Sequence, residues 1–178
     1  MAGRGEMRRT DREMTASESW ELLGRAFSGR LGTAGPDGWP YVVPQLFIWH
    51  QGKLFFHNTA APGHTRANIE ANPRVCFEVD EPGFVFPYGD KAPCETSVGF
   101  ESVILFGFCE IVSDREEKIA FFERFMAKYA DPAWERPSAW PLLDATTVYA
   151  VTVERITGKR RPVVIAERWK HEFPHNQA

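Results

Sequence analysis

The chain has 178 residues, of which 43% are hydrophobic and 25% charged, and a formal net charge of −3. This is the balance of an ordinary globular domain with enough apolar material for one core, and it gives no global reason to expect nucleic-acid binding. No apolar run approaches the ~18 residues of a membrane helix, no apolar h-region follows the basic start, and three scattered cysteines (Cys76, Cys94, Cys109) fit neither a disulfide framework nor a zinc motif. The expectation is a cytoplasmic protein with no membrane or nucleic-acid partner.

In chain order, residues 1–14, with Arg4, Arg8, Arg9 and Arg12, read as a flexible N-terminal segment, and residues 15–178 as a single domain. A first helix carries Trp20, Leu23, Ala26 and Phe27 on one face, with Ser17 as N-cap. Arg30–Thr33 predicts a strand and Pro36-Asp37-Gly38 a turn. Tyr41 to Trp49 is one β-rich run, in which Pro44 requires an edge, a bulge or a groove because proline donates no ladder hydrogen bond. Gln51-Gly52 turns into the strand Lys53–His57. A short helix spans 62–71, and Asn72-Pro73 stops it. Arg74–Asp80 is a strand, Glu81–Pro93 an irregular loop, and Val98–Val112 a long strand with Gly99 and Gly107 as bend points. Ser113-Asp114 caps a helix with the apolar stripe Ile119, Phe122, Phe125, Met126 and Tyr129. Thr146–Ile156 is a final strand, Thr157–Arg161 a turn, and Val163–Trp169 an added edge strand.

Short strands in a meander with few helices predict a small antiparallel barrel or sandwich, and the absence of βαβ alternation argues against a doubly wound sheet. Neither GxGxxG nor a Walker loop is present. The stretch from Lys53 to Asp80 carries most of the chemistry. A strand ends in His57-Asn58-Thr59, a small-residue loop follows, and His64-Thr65-Arg66 opens the short helix. Hydroxyls, imidazoles, a guanidinium and unpaired helix N–H groups suit a phosphate. Spacing supports no Ser–His–Asp or Cys–His nucleophile, and His50, His57 and His64 lack the common face and carboxylate of a metal site. No catalytic residue is assigned.

Taken in order, Arg30-Leu-Gly32, Pro40-Tyr-Val-Val-Pro44, Gly52-Lys-Leu-Phe-Phe-His57, Gly63-His64, Asn68-Ile69, Asn72-Pro-Arg-Val-Cys-Phe77, Glu101-Ser-Val-Ile104 with Gly107, and Ile156-Thr-Gly-Lys159 resemble the FMN-binding split-barrel family related to pyridoxamine 5′-phosphate oxidase. More narrowly, they resemble its branch of flavin-nucleotide-binding proteins associated with nitroimidazole resistance. The resemblance implies a mainly β fold with flanking helices, a six-stranded antiparallel split barrel of Greek-key topology. It implies a homodimer with FMN at the interface, the phosphate against the strand–helix loop (His57, Asn58, Thr59, His64, Thr65, Arg66), the flavin ring along Val42, Val43 and Pro44, and Ser102 closing the other side. Trp140, Tyr88 and Phe100 are aromatic candidates to stack on that ring. The activity implied is reduction of a nitroaromatic or similar small electrophile. The alternative is a non-enzymatic module holding or sensing another flavin or haem, with His57 or His64 as an axial imidazole. Thr65 stands where relatives carry a lysine, replacing a point charge by a neutral hydroxyl. Trp20, Phe27, Trp39, Trp49, Trp134 and Trp140 are many large aromatics for one small barrel, which supports the dimer expectation.

Overall fold

A computed structural model describes residues 6–87, 96–135 and 139–161. Its eight strands are β1 (Glu13–Met14), β2 (Gly29–Ala34), β3 (Pro40–Gln45), β4 (Phe47–His50), β5 (Lys53–Thr59), β6 (Arg74–Pro87), β7 (Thr96–Ile111) and β8 (Thr146–Arg161). Three α-helices accompany them: α1 (Ala16–Arg25), α2 (His64–Ala71) and α3 (Arg115–Tyr129). Hydrogen bonding follows the order β3-β2-β6-β7-β8-β5-β4, with β1 added on β8, so the sheet ends at β3 and β4 rather than closing. This is the expected mainly β split-barrel class. Among the described residues no helix is long and apolar enough to cross a membrane.

Eight strands are present among the described residues where six were expected. One added strand is β1. The other comes from the Tyr41–Trp49 run, which changes partner at Leu46: Gln45 pairs with Gly29 of β2, whereas Phe47 pairs with Phe56 of β5. Pro44 accordingly lies in β3 at one end of the strand order, where a missing N–H costs no ladder bond. The chain divides into two compact units, and β6, β7 and β8 contribute to both.

The unit Phe27–Glu78 with Leu105–Ile156 has an aromatic core. Phe47 meets Phe77 edge-on at 5.0 Å, and Phe56 stacks on Tyr149 at 4.8 Å. Phe122, Phe125 and Tyr129 of the expected α3 stripe pack against the core, and Phe121 joins them as the buried residue, in a cluster with Ile48, Phe55, Val112, Val148 and Ala150. The Tyr129 hydroxyl accepts from the Phe47 N–H at 3.1 Å and lies 2.7 Å from the carbonyls of Phe27 and Phe47. The β4–β5 hairpin turns at Gln51-Gly52, both with positive φ, a pairing that matches the twist of the strands. Gly107 is required by proximity, since a Cβ there would stand 2.3 Å from the Thr152 carbonyl.

The unit Met1–Ala26, Val79–Ile104 and Thr157–Ala178 is organised around α1. Its N-cap is Thr15 rather than Ser17, because Glu18 three residues on completes a capping box: its carboxylate accepts from the Thr15 N–H at 2.8 Å. Glu13 and Met14 pair with Lys159 and Gly158, so β8 runs straight through the Thr157–Arg161 segment where a turn was expected. Thr10–Arg12 forms one 3-10 turn ahead of β1, within the segment read as flexible. β6 likewise continues through Glu81–Pro87, the first half of the expected loop. The Arg25 guanidinium bridges Glu81 and Glu101. Tyr88, Cys94 and the Val163–Trp169 strand lie outside the described residues.

Candidate functional site

A cleft of about 680 Å³ opens in the unit Phe27–Glu78 with Leu105–Ile156. Its walls come from alternate residues of β3, the end of β5, the start of α2, and the segment leading into β8. Strand pairing and local sequence together fix these walls. β5 pairs with β8 from Lys53↔Thr152 to Thr59↔Thr146, and the Ala60 N–H donates to the Ala145 carbonyl at 2.9 Å, which fixes the β8 side. The chain then crosses Pro62-Gly63 and starts α2, whose N-cap is Gly63, with no side-chain cap and no acidic residue in the first turn. Helix N–H groups left without a cap carry partial positive charge, and here Gly63, His64, Thr65 and Arg66 all line the cleft.

Arg66 is the one formally charged side chain among the lining residues, and no carboxylate joins it. Its Nε donates to Glu70 Oε1 at 2.8 Å and its Nη1 to the Ala60 carbonyl at 3.3 Å. The Glu70 carboxylate raises the Arg66 pKa further, so the guanidinium stays charged but partly neutralised. Thr65 is buried in the same turn. Gln45 Nε2 donates to Asn58 Oδ1 at 3.1 Å, tying β3 to the end of β5, and Asn68 Nδ2 donates to Thr33 Oγ1 at 3.0 Å, tying α2 to β2.

Aromatic groups supply the remaining lining. Tyr41 and His64 stack at 5.5 Å with 28° between their planes. Tyr149 is fully buried, and that burial pushes its phenol pKa up. His57 Nδ1 is the one buried side-chain nitrogen or oxygen without a hydrogen-bond partner among the described residues. Burial holds its imidazole below the usual pKa of 6.5.

The structure gathers seven of the residues singled out in the sequence: Val43, His57, Asn58, Thr59, His64, Thr65 and Arg66. It does not bring Val42 and Pro44 to the cleft. Strand alternation sends Tyr41, Val43 and Gln45 inward and leaves Val42 62% exposed. Ser102 lies half-buried on β7 in the other unit and is not among the lining residues. Trp140 stacks on Phe122 at 5.4 Å, and Phe100 sits 5.8 Å from the Lys159 ammonium in the other unit. Sequence reasoning passed over Tyr41, Gln45, Leu142, Ala145, Thr146 and Tyr149. The first two were accessible, because alternation around Val43 names them. The last four were not, because a pairing with β5 across some ninety residues sets that wall.

The arrangement suits a phosphate or similar anion at the start of α2, with a flat, partly aromatic compartment beside it. A family model described as pyridoxamine 5′-phosphate oxidase matches residues 15–160. Among curated proteins none matches the chain significantly. Solved structures do. The flavocytochrome Anf3 from Azotobacter vinelandii superposes with a TM-score of 0.79 at 20% identity, over 97% of this chain and 81% of that one. A candidate 5-nitroimidazole antibiotic resistance protein from Bacteroides thetaiotaomicron gives 0.70 at 23% identity, over 83% and 86%. An FAD-binding protein from Mesorhizobium loti gives 0.61 at 26% identity, over 85% and 98%.

Proposed function

Because the chain belongs to the pyridoxamine 5′-phosphate oxidase family, matched over residues 15–160, we propose that it is an FMN-binding oxidoreductase acting on a small electrophile such as a nitroaromatic. The observation that carries the reading is the start of α2: an uncapped helix N-terminus facing a cleft lined by a guanidinium and no carboxylate. Those donors fit the FMN phosphate, and the compartment bounded by Tyr41, Val43, His57 and Tyr149 suits a planar ring.

FMN supplies the redox chemistry, accepting and passing on one or two electrons. The chain's own residues bind and orient. The α2 N–H groups and Thr65 hold the phosphate, with Arg66 as the nearby positive charge. The Gln45–Asn58 hydrogen bond fixes two amides at the cleft wall, one from β3 and one from β5. Tyr149, locked against Phe56, gives a rigid wall that excludes water. In this reading the active form is a homodimer with FMN at the interface, and the exposed Trp39 and Val42 near the cleft belong to that interface.

Purified protein tests this directly. It should be yellow and release FMN on denaturation. If isolated without flavin, it should gain thermal stability on titration with FMN. The relationship to a flavocytochrome fold and the unpartnered nitrogen of His57 support a second reading, a flavin- or haem-holding sensor. A Soret band on reconstitution with haem, lost in His57→Ala, would favour it over the first.

A further inference from the structure

His57 reaches the cleft from β5, yet much of its ring is enclosed by α3. Phe125 meets it edge-on at 4.9 Å and 87°, Phe122 at 5.3 Å and 64°, and Phe121 lies at 5.6 Å. These rings pack on one another as well, Phe121 against Phe122 at 4.9 Å and Phe121 against Phe125 at 5.5 Å, so the enclosure is a rigid aromatic socket. Nδ1 is buried without a hydrogen-bond partner, and the residue also lines the cleft. We propose that Phe122 and Phe125 are positioning residues for His57: they hold its imidazole in one orientation and uncharged, so that the cleft is offered a neutral hydrogen-bonding edge rather than a cation. This rests on the reading of the cleft as a flavin site and adds how that site is controlled.

The physical argument is one of solvation. Protonation would place a positive charge and a second N–H donor among three phenyl rings, with no acceptor for the Nδ1 proton. Burial is the sole cause acting on the His57 pKa, with no charged group contributing. The elements packed on it bear this out. Its ring contacts on α3 are phenylalanines, and its β8 partner is Val148; the charged group of α3 on the Phe122 and Phe125 face is Lys118, whose ammonium donates to the Leu143 carbonyl at 2.7 Å. The titratable groups that share the cleft are His64, Arg66, Tyr41 and Tyr149, none of them a carboxylate that would favour the imidazolium. A neutral edge can hydrogen-bond an uncharged flavin ring at any pH above the depressed His57 value. It also leaves the anion-binding charge to the α2 end alone.

Imidazole-selective NMR on the protein without added ligand reads this directly, with the His57 signal identified by its loss in His57→Gln. The expected result is a His57 signal that keeps its neutral shifts as pH falls through about 6.5, where an ordinary histidine is half-protonated. In Phe125→Ser, which admits water and a hydroxyl, the titration midpoint should move up toward that ordinary value. In Phe125→Leu, which keeps the enclosure apolar, it should stay low. An ordinary midpoint in the unaltered protein would overturn the proposal, and so would Phe125→Ser leaving the midpoint where it was. Riboflavin, which has no phosphate and no group titrating between about pH 5.5 and 8, supplies the second readout. Its affinity should be flat over that range in the unaltered protein and should acquire a pH dependence in Phe125→Ser. Absence of any flavin binding would count against the proposed function and leave the NMR result on the socket intact.

Discussion

At the scale of single residues, the start of α2 is defined as much by what it lacks as by what it has. Thr65 supplies no charge, and Arg66 shares its charge with Glu70. Two substitutions therefore strengthen phosphate binding in different ways. Thr65→Lys adds a point charge, and Glu70→Gln releases the guanidinium. Each is expected to tighten FMN binding roughly five- to tenfold at low salt while leaving riboflavin affinity unchanged, as measured by fluorescence quenching. His57 makes a separate prediction about stability. Its folded-state pKa lies below its unfolded value of 6.5, because burial disfavours the charged form. As pH falls through 6.5 the unfolded chain takes up the proton first, so the native state loses stability on the acid side of that value. Urea midpoints between pH 7.5 and 5.5 should fall more steeply for the native sequence than for His57→Leu.

At the scale of elements, much was legible because the signals are local. The β4–β5 turn, the N-terminus of α3 at Asp114 and the stop at Asn72-Pro73 follow from neighbouring residues alone. The misplaced features share a long-range cause. Thr157–Arg161 contains Gly158 and a basic run, which reads as a turn. It is a strand because β1 pairs there and because Gly158 permits the close approach of Ser19, whose Oγ would lie 2.1 Å from any Cβ. The break at Leu46 is invisible in an unbroken β-rich run, since only the change of partner from β2 to β5 creates it. On α3, Phe122, Phe125 and Tyr129 of the expected stripe do pack on the core, and Phe121 beside them is the residue the core cluster of Phe55 and Val148 buries. Gly107 was noticed as a bend point, and its role is closeness: Gly107→Ala would press a methyl group onto the Thr152 carbonyl and Val151. Overpacking between strands predicts a loss of about 2–3 kcal/mol in chemical denaturation, with no change in the flavin spectrum of the protein that remains folded.

At the scale of the whole molecule, the family and fold were legible from an ordered set of short motifs, while the full site was not. The cleft joins β3, β5 and α2, which follow closely in sequence, to the distant entry to β8, and only the motif-bearing part of it could be named in advance. The proposed homodimer belongs to this scale too. Trp39 is 76% exposed and Val42 62%, on the edge strand and the turn before it. Large apolar groups on an edge strand call for a partner. The expectation is a dimeric mass in light scattering at micromolar concentration, shifted toward monomer with a matching loss of FMN affinity by Trp39→Ser combined with Val42→Ser. The central claim, that the cleft beside α2 holds FMN, is tested most directly by the absorbance spectrum and FMN titration of freshly purified protein. The predicted result is a flavin band near about 450 nm from FMN carried through purification, or saturable FMN binding that raises the melting temperature. A colourless protein whose melting temperature does not respond to FMN would contradict it.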